Sequence, residues 1–301
     1  VSDKIGYVVL HYGTIEGTAN CVKSILDTQQ GADYCVIVVN NGDSRAEELD
    51  RICHGISDGI ILVHSKINNG FARGMNLGFA EAKYNQHCGF IVLLNNDTLM
   101  VQNEFSALLI RAYYERAYAQ AGPKVLTADG KLTDKANPYR YGMPSLLYIL
   151  YKYVMTATKY AVSYINRDLW IDKWQRRLER RMRIKGITAP PGSQSWPRID
   201  NCLIHGCCMI FSPQYVQKYD GMNPRTFLYM EEYILHLRLL ANGWTTAYLR
   251  DLSIIHLSHV ATSTVVTNKI EKRRFRYRNN LKSYNVLIPL LMSGKRARQK
   301  A

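Results

Sequence analysis

At 301 residues, 47% of them apolar, the chain can build one large or two small domains around a proper core, which excludes wholesale disorder. Its formal charge of +15 implies an anionic partner: nucleic acid, a membrane surface or a phosphorylated small molecule. Seven cysteines follow no zinc spacing and no signal peptide precedes them, so they read as reduced thiols of a cytosolic protein, the adjacent Cys207 and Cys208 being small packing residues.

Residues 1–126 alternate strand-like and helix-like stretches. The apolar runs IGYVVLHY (5–12), CVIVVNN (35–41), GIILVHS (59–65) and GFIVLLNND (89–97) read as strands. Between the first two lies a helix over 16–28, with Cys21, Ile25 and Leu26 on one face. This alternation predicts an α/β fold, a mostly parallel sheet with helices on both faces. Polar residues gather where the strands end: His11 and Tyr12, Asn40 and Asn41, then Asn95, Asn96 and Asp97. In a parallel sheet those ends share one edge and converge on one ligand. In NNGFARGMNLGFA (68–80), Gly70, Gly74 and Gly78 keep a helix slim, while Arg73 and Asn76 add donors suited to phosphate or ribose oxygens. A glycine-thinned packing helix explains the same residues, and the spacing is not that of the dinucleotide fingerprint.

Residues 138–198 differ in composition. SLLYILYKYVMTATKYAVSYI (145–165) carries Lys152 and Lys159 and is too interrupted for a membrane span. In LWIDKWQRRLERRMRIKG (169–186), Trp170, Trp174, Leu178 and Met182 recur every four residues, with Arg176, Arg177, Arg180, Arg181 and Arg183 around them. This predicts an amphipathic, strongly basic helix ending near Gly186, before the loop APPGSQSWP (189–197). From 199 the globular pattern returns, and KIEKRRFRYRNN (269–280) makes a basic tail.

Three groups could carry chemistry. Asp97, at a strand end beside two amides, could hold a divalent cation against a phosphate, or simply form a turn. Glu231 and Glu232 sit in the apolar FLYMEEYILHLR (227–238). Desolvation would move such a carboxylate towards general-base range, whereas the bland reading is a solvated helix start. His256 ends the strand-like SIIHLSH, with His259 three residues on, offering an imidazole ligand or a structural histidine.

In this order, the strand-end NND, the GCCMIFSPQYV…YDGMN…FLYMEE…LHLR block and the strand-end His resemble the family-2 glycosyltransferases. The bacterial rhamnosyltransferase-like branch is the nearest in pattern. The resemblance spans roughly 5–126 and 199–263, and NNGFARGMNLG matches the family's NxGFAxGxNxG. It implies a GT-A fold over 1–265, interrupted by the helical, basic 138–198 insertion, with 266–301 as a basic helical tail. It implies Asp97 and His256 as ligands of Mn2+ or Mg2+, with His259 as fallback, and Glu232 as catalytic base supported by Glu231. His11, Tyr12, Asn40, Arg73, Asn76, Asn95 and Asn96 would bind the nucleotide sugar. The chain departs from the family pattern at Asn95 and Asn40, each in place of Asp, at Glu232, also in place of Asp, and at Ile234 in place of an acid.

The implied reaction is inverting transfer from dTDP-rhamnose or a UDP-sugar to a saccharide or lipid-linked acceptor in surface polysaccharide synthesis. The enzyme would be cytoplasmic, with the basic Trp helix resting on the anionic inner face of the membrane, or packing on its own domain or on a second copy in a homodimer. Two other classes are weaker. A nucleic-acid binder fits the charge, but the basic residues avoid the α/β core. A glycoside hydrolase would use Glu231 and Glu232, yet neighbours on a helix point about 100° apart, a poor arrangement for flanking one bond.

Overall fold

The computed structural model describes residues 2–29, 31, 33–133, 145–184, 198–257 and 268–294, with positions 296 and 299. Side chains are described through 179 in the stretch ending at 184, and from 200 in the one beginning at 198. His259, the fallback ligand, and the 189–197 loop lie outside the described residues.

The first half runs β1 (Ile5–His11), α1 (Ile15–Thr28), β2 (Tyr34–Asn41), α2 (Ala46–Ile56), β3 (Ile60–Ser65), α3 (Gly70–Ala80) and β4 (Phe90–Asn95). It continues through β5 (Thr98–Met100), α4 (Phe105–Glu115) and β6 (Gln120–Leu126). The insertion contributes α5 (Leu146–Val162) and α6 (Asp168–Ile184). The remainder holds β7 (Arg198–Asp200), β8 (Cys208–Phe211), α7 (Pro213–Lys218), α8 (Glu231–Asn242), β9 (Thr246–His256) and α9 (Lys269–Met292). The strands form one sheet in the order β3-β2-β1-β4-β8-β6-β9-β5, with β7 on β9.

The four expected strands are the parallel part, β3-β2-β1-β4. They are apolar throughout because both faces are covered. Tyr7 and Val9 on β1 pack with Val22 and Ile25 of α1 and Leu109 of α4, while Val8 packs on the other face with Met75 and Phe79 of α3 and Leu235 of α8. Register sets the strand ends level: Leu10 pairs with Asn95, and His11 with Asn40, which pairs in turn with His64. Beyond β4 the sheet becomes mixed, with β8 antiparallel to both β4 and β6.

The glycines of α3 do the packing job. A Cβ on Gly74 would fall 2.8 Å from Leu10 Cδ1, and one on Gly78 would collide with Val8 and Val39, so the helix lies close on β1 and β2.

The tail, expected to be helical and basic, also packs on the domain. The basic stretch is the first half of α9, a helix of 24 residues that packs on α5 and α8. Arg273 pairs with the buried Asp168 of α6 at 2.6 Å, Tyr277 donates to the same carboxylate at 3.1 Å, and Arg274 donates to the Ser163 carbonyl at 2.8 Å. Part of the tail's charge is thus used inside the protein.

Candidate active site

Asp97 and His256 are 159 residues apart and meet through the sheet. β5 pairs antiparallel with β9, placing Thr98 opposite His256, and His256 Nε2 lies 3.1 Å from Asp97 Oδ1. The Asp97 carbonyl accepts from Leu257 N at 2.9 Å, which fixes the backbone on both sides of the pair. Among the described residues no group of three or more His, Cys, Asp or Glu gathers around a point. The donors that meet here, among the described residues, are this oxygen and this nitrogen. Octahedral ligands about 2.1 Å from a small divalent cation sit about 3 Å from their neighbours, so the pair fits two adjacent corners.

The two amides before Asp97 have different jobs. Asn96 is buried, and its Nδ2 donates to Thr18 Oγ1 at 3.0 Å and the Thr14 carbonyl at 3.3 Å, holding the loop after β1. Asn95 stays half-buried, its backbone N–H bonded to the Cys207 carbonyl at 3.0 Å.

That carbonyl belongs to His205, Gly206 and Cys207, a segment whose last two residues open the GCCMIFSPQYV block but to which the sequence assigned no part in the site. Gly206 N–H donates to the Glu232 carboxylate, and a Cβ on Gly206 would collide with Glu232 Oε1. His205 lies with its ring centroid 5.7 Å from that of His256. Burial pushes the Cys207 thiol well up, with the charges of Cys208, Asp97 and Glu232 adding to it, so one buried side chain feels both Asp97 and Glu232. One tripeptide thus joins the strand-end amide, the imidazole and the acid.

The acids begin α8 after two successive non-glycine residues in the left-handed region, Tyr229 (φ 75°) and Met230 (φ 69°). Each such residue costs about 1–3 kcal/mol and persists where the surroundings over-determine it. Here Ser283 of α9 donates to the Leu228 carbonyl at 2.8 Å, and Phe71 N donates to the Phe227 carbonyl at 2.7 Å. Gly70 (φ 77°) admits that carbonyl, which any Cβ would strike. Burial raises both carboxyl groups. Glu231, further raised by the charge of Glu232, is pushed up to about 8, and its Oε1 has no hydrogen-bond partner among the described residues.

Because its folded pKa lies above the ordinary carboxyl value, the stability Glu231 contributes is present at low pH and is lost as pH rises from about 4.3 to about 8. Glu231→Gln copies the protonated form. Its thermal midpoint should match the native protein near pH 4 and exceed it increasingly towards pH 9, where the difference in unfolding free energy reaches the order of a few kcal/mol. Parallel melting curves across that range would remove the buried-acid assignment.

The donor residues read from the sequence are placed unequally. Tyr12 is half-buried at the common strand edge. His11 is fully buried, its Nδ1 2.7 Å from Thr18 Oγ1, and burial pushes its pKa down to about 4. Asn40 accepts from Asp43 N at 2.8 Å and donates to Asp43 O at 3.1 Å, shaping the turn after β2. Asn76, read with Arg73 as a donor for phosphate or ribose oxygens, here donates its amide to Met222 O and accepts from Met222 N, both at 2.8 Å, and so braces the loop leading to the acids. Arg73 braces the same loop through Pro224 O at 2.6 Å while remaining exposed.

Asp43 was also missed. It accepts from Gly13 N at 3.1 Å and Arg45 Nη2 at 2.8 Å, lies 3.5 Å from His11 Nε2, and is held down at about 2 chiefly by Arg45. It puts a permanent carboxylate where the β1 and β2 loops meet, three residues beyond Asn40. An acid and a glycine just past a strand end were the available signal.

The family described as "Glycosyl transferase family 2" matches residues 8–170. No curated protein sequence matches the chain. The crystal structure of S. aureus TarS 1-349 aligns over 93% of this chain and 72% of its own, at 11% identity and a TM-score of 0.51. GalNAc-T7 with UDP, GalNAc and Mn2+ aligns over 85% of this chain and 44% of its own, at 9% identity and a TM-score of 0.52. At such identities the likeness concerns the fold.

Proposed function

The chain belongs to glycosyl transferase family 2, and we propose that it is an inverting enzyme moving a sugar from a nucleotide-diphosphate donor to an acceptor hydroxyl. The observation that carries this reading is the junction at 205–207, which ties Glu232, Asn95 and His256 to one rigid edge of the sheet. Glu232 takes the proton of the acceptor hydroxyl as its oxygen attacks the anomeric carbon, and the bond to the donor diphosphate breaks on the opposite face. General-base help of this kind contributes about a hundred- to ten-thousand-fold. Burial raises its pKa, the direction that makes a carboxylate the stronger base.

Asp97 and His256 would hold the cation, an oxygen-plus-imidazole pair that suits Mn2+ somewhat better than Mg2+. Bound there, the cation supplies neutralisation of the charge developing on the departing diphosphate. Arg73 and Asn95, both accessible, are left to meet the donor, with Tyr12 at the same edge. The UDP, GalNAc and Mn2+ of GalNAc-T7 support a pyrimidine nucleotide donor, dTDP-rhamnose or a UDP-sugar, and the acceptor is a saccharide or a lipid-linked sugar.

The test is a panel of nucleotide sugars with and without Mn2+, read by thermal stabilisation and by slow hydrolysis of the donor. One donor should raise the melting midpoint in a metal-dependent way and be hydrolysed. Failure of every nucleotide sugar, or sugar release from a plain glycoside, would overturn the reading.

A further inference from the structure

The helix α6 is built inside out. Its inward side holds Asp168, Asp172, Gln175 and Glu179, spaced i, i+4, i+7, i+11. All three carboxylates are neutralised there: Asp168 by Arg273, Asp172 by Lys159 at 3.2 Å, and Glu179 by Lys152 at 3.3 Å. These are the only acids in 146–184. The opposite side, i, i+3, i+4, i+7, presents Trp170 (67% exposed), Lys173, Trp174 (48% exposed) and Arg177, all open to solvent. Helix α5 buries Ile149 against α9 and leaves Leu147, Leu150 and Val154 exposed on its far side, and Ile165 in the connecting turn is exposed as well. More than half of the exposed large apolar side chains among the described residues lie in this one hairpin.

We infer that the outer face of α6, which carries Leu169, Trp170, Lys173, Trp174 and Arg177, is a docking surface for an anionic lipid bilayer. This goes beyond the catalytic reading and does not rest on it. Tryptophan with aliphatic neighbours, rimmed by lysine and arginine, is the composition that settles at the boundary of headgroups and acyl chains. Charge decides the occupant. A second copy of the chain meeting this face across a twofold axis would set cation against cation, with no carboxylate on either side to answer it. Nucleic acid would satisfy the cations but leave Leu169, beside Lys173 on the same helix, in water. No helix among the described residues is long and apolar enough to cross a membrane, so the contact is with the surface. Through Arg273 and Ser283, α9 fastens the hairpin to the segment that begins the acid helix, so a docked molecule holds Glu232 at a set orientation to the bilayer.

The test floats the full chain with vesicles of phosphatidylcholine alone and of phosphatidylcholine mixed with phosphatidylglycerol, with brominated lipid in a parallel set. Binding to the mixed vesicles, its loss in high salt, and quenching of tryptophan emission by the brominated chains are the expected results. Lys173→Gln with Arg177→Gln should weaken partition roughly twenty-five-fold, about fivefold for each charge. Trp170→Phe with Trp174→Phe should abolish most of the quenching while leaving the thermal midpoint unchanged, since both rings are exposed. Equal binding to neutral and mixed vesicles, no binding to either, unquenched emission, or a dimer in sedimentation that Trp170→Ala dissociates would each overturn the proposal. Flotation of the mixed vesicles abolished by equimolar single-stranded DNA, with the DNA complex insensitive to the tryptophan changes, would transfer the face to nucleic acid.

Discussion

Glu232→Gln is expected to lower turnover by about two to four orders of magnitude while donor affinity stays close to native and the thermal midpoint does not fall, because the neutral amide relieves a buried charge. The amide keeps the shape of the side chain and an oxygen to accept from Gly206 N–H, so the geometry at 206 survives. What is lost is a group that can take the acceptor's proton. Gly206→Ala approaches the same point from the other side, because its Cβ collides with the carboxylate oxygen and turns the acid out of place. That variant should lose kcat like Glu232→Gln, and calorimetry should find metal-dependent donor binding intact in both. If Glu231→Gln proves the deeper lesion, the base is Glu231, and the pair's roles exchange.

The parallel half of the sheet was legible because strands covered on both faces must be apolar along their length, and four such runs with helix-length spacers admit few topologies. The polar ends of those strands marked the edge that carries the site. The partner of Asp97 was legible as a strand-end histidine, but not its 3.1 Å contact, which depends on β5 pairing with a strand more than 140 residues later. What Arg73 and Asn76 touch was not legible, because side-chain donors look alike whether they meet a phosphate or a backbone. The carbonyls they hold, at Pro224 and Met222, lie about 150 residues downstream. The part played by His205 and Gly206 was not legible, because one glycine before a short strand has no period to announce it. The hairpin taught the opposite lesson. An apolar stripe was expected to mark the side that docks or packs, yet α6 turns its carboxylates inward because α5 and α9 supply Lys152, Lys159 and Arg273 to meet them. That inversion rests on three helices distant in sequence, and composition alone does not reveal it.

The second large effect is expected at Asp97. It is the one carboxylate in the NND segment, because Asn95 and Asn96 are neutral and Asn96 is taken up by Thr14 and Thr18. Asp97→Asn keeps a partner for His256 and should keep the fold, but it removes the charged oxygen from the pair. A Lewis acid at a departing diphosphate supplies several kcal/mol, so transfer should fall by about a hundred- to ten-thousand-fold. The decisive readout is separate from activity: titration of the donor with and without Mn2+ should show a strong metal effect in the native chain and little in the variant. His256→Ala should weaken that effect less, because diphosphate oxygens and the Asp97 carboxylate remain. It leaves Asp97 more exposed and unpaired, so its melting curve must be measured alongside. Full activity of Asp97→Asn, or native turnover in excess chelator, would leave Asp97 and His256 as a hydrogen-bonded clasp between β5 and β9. The diphosphate would then need another cation, for which Arg73, exposed on α3, is the candidate.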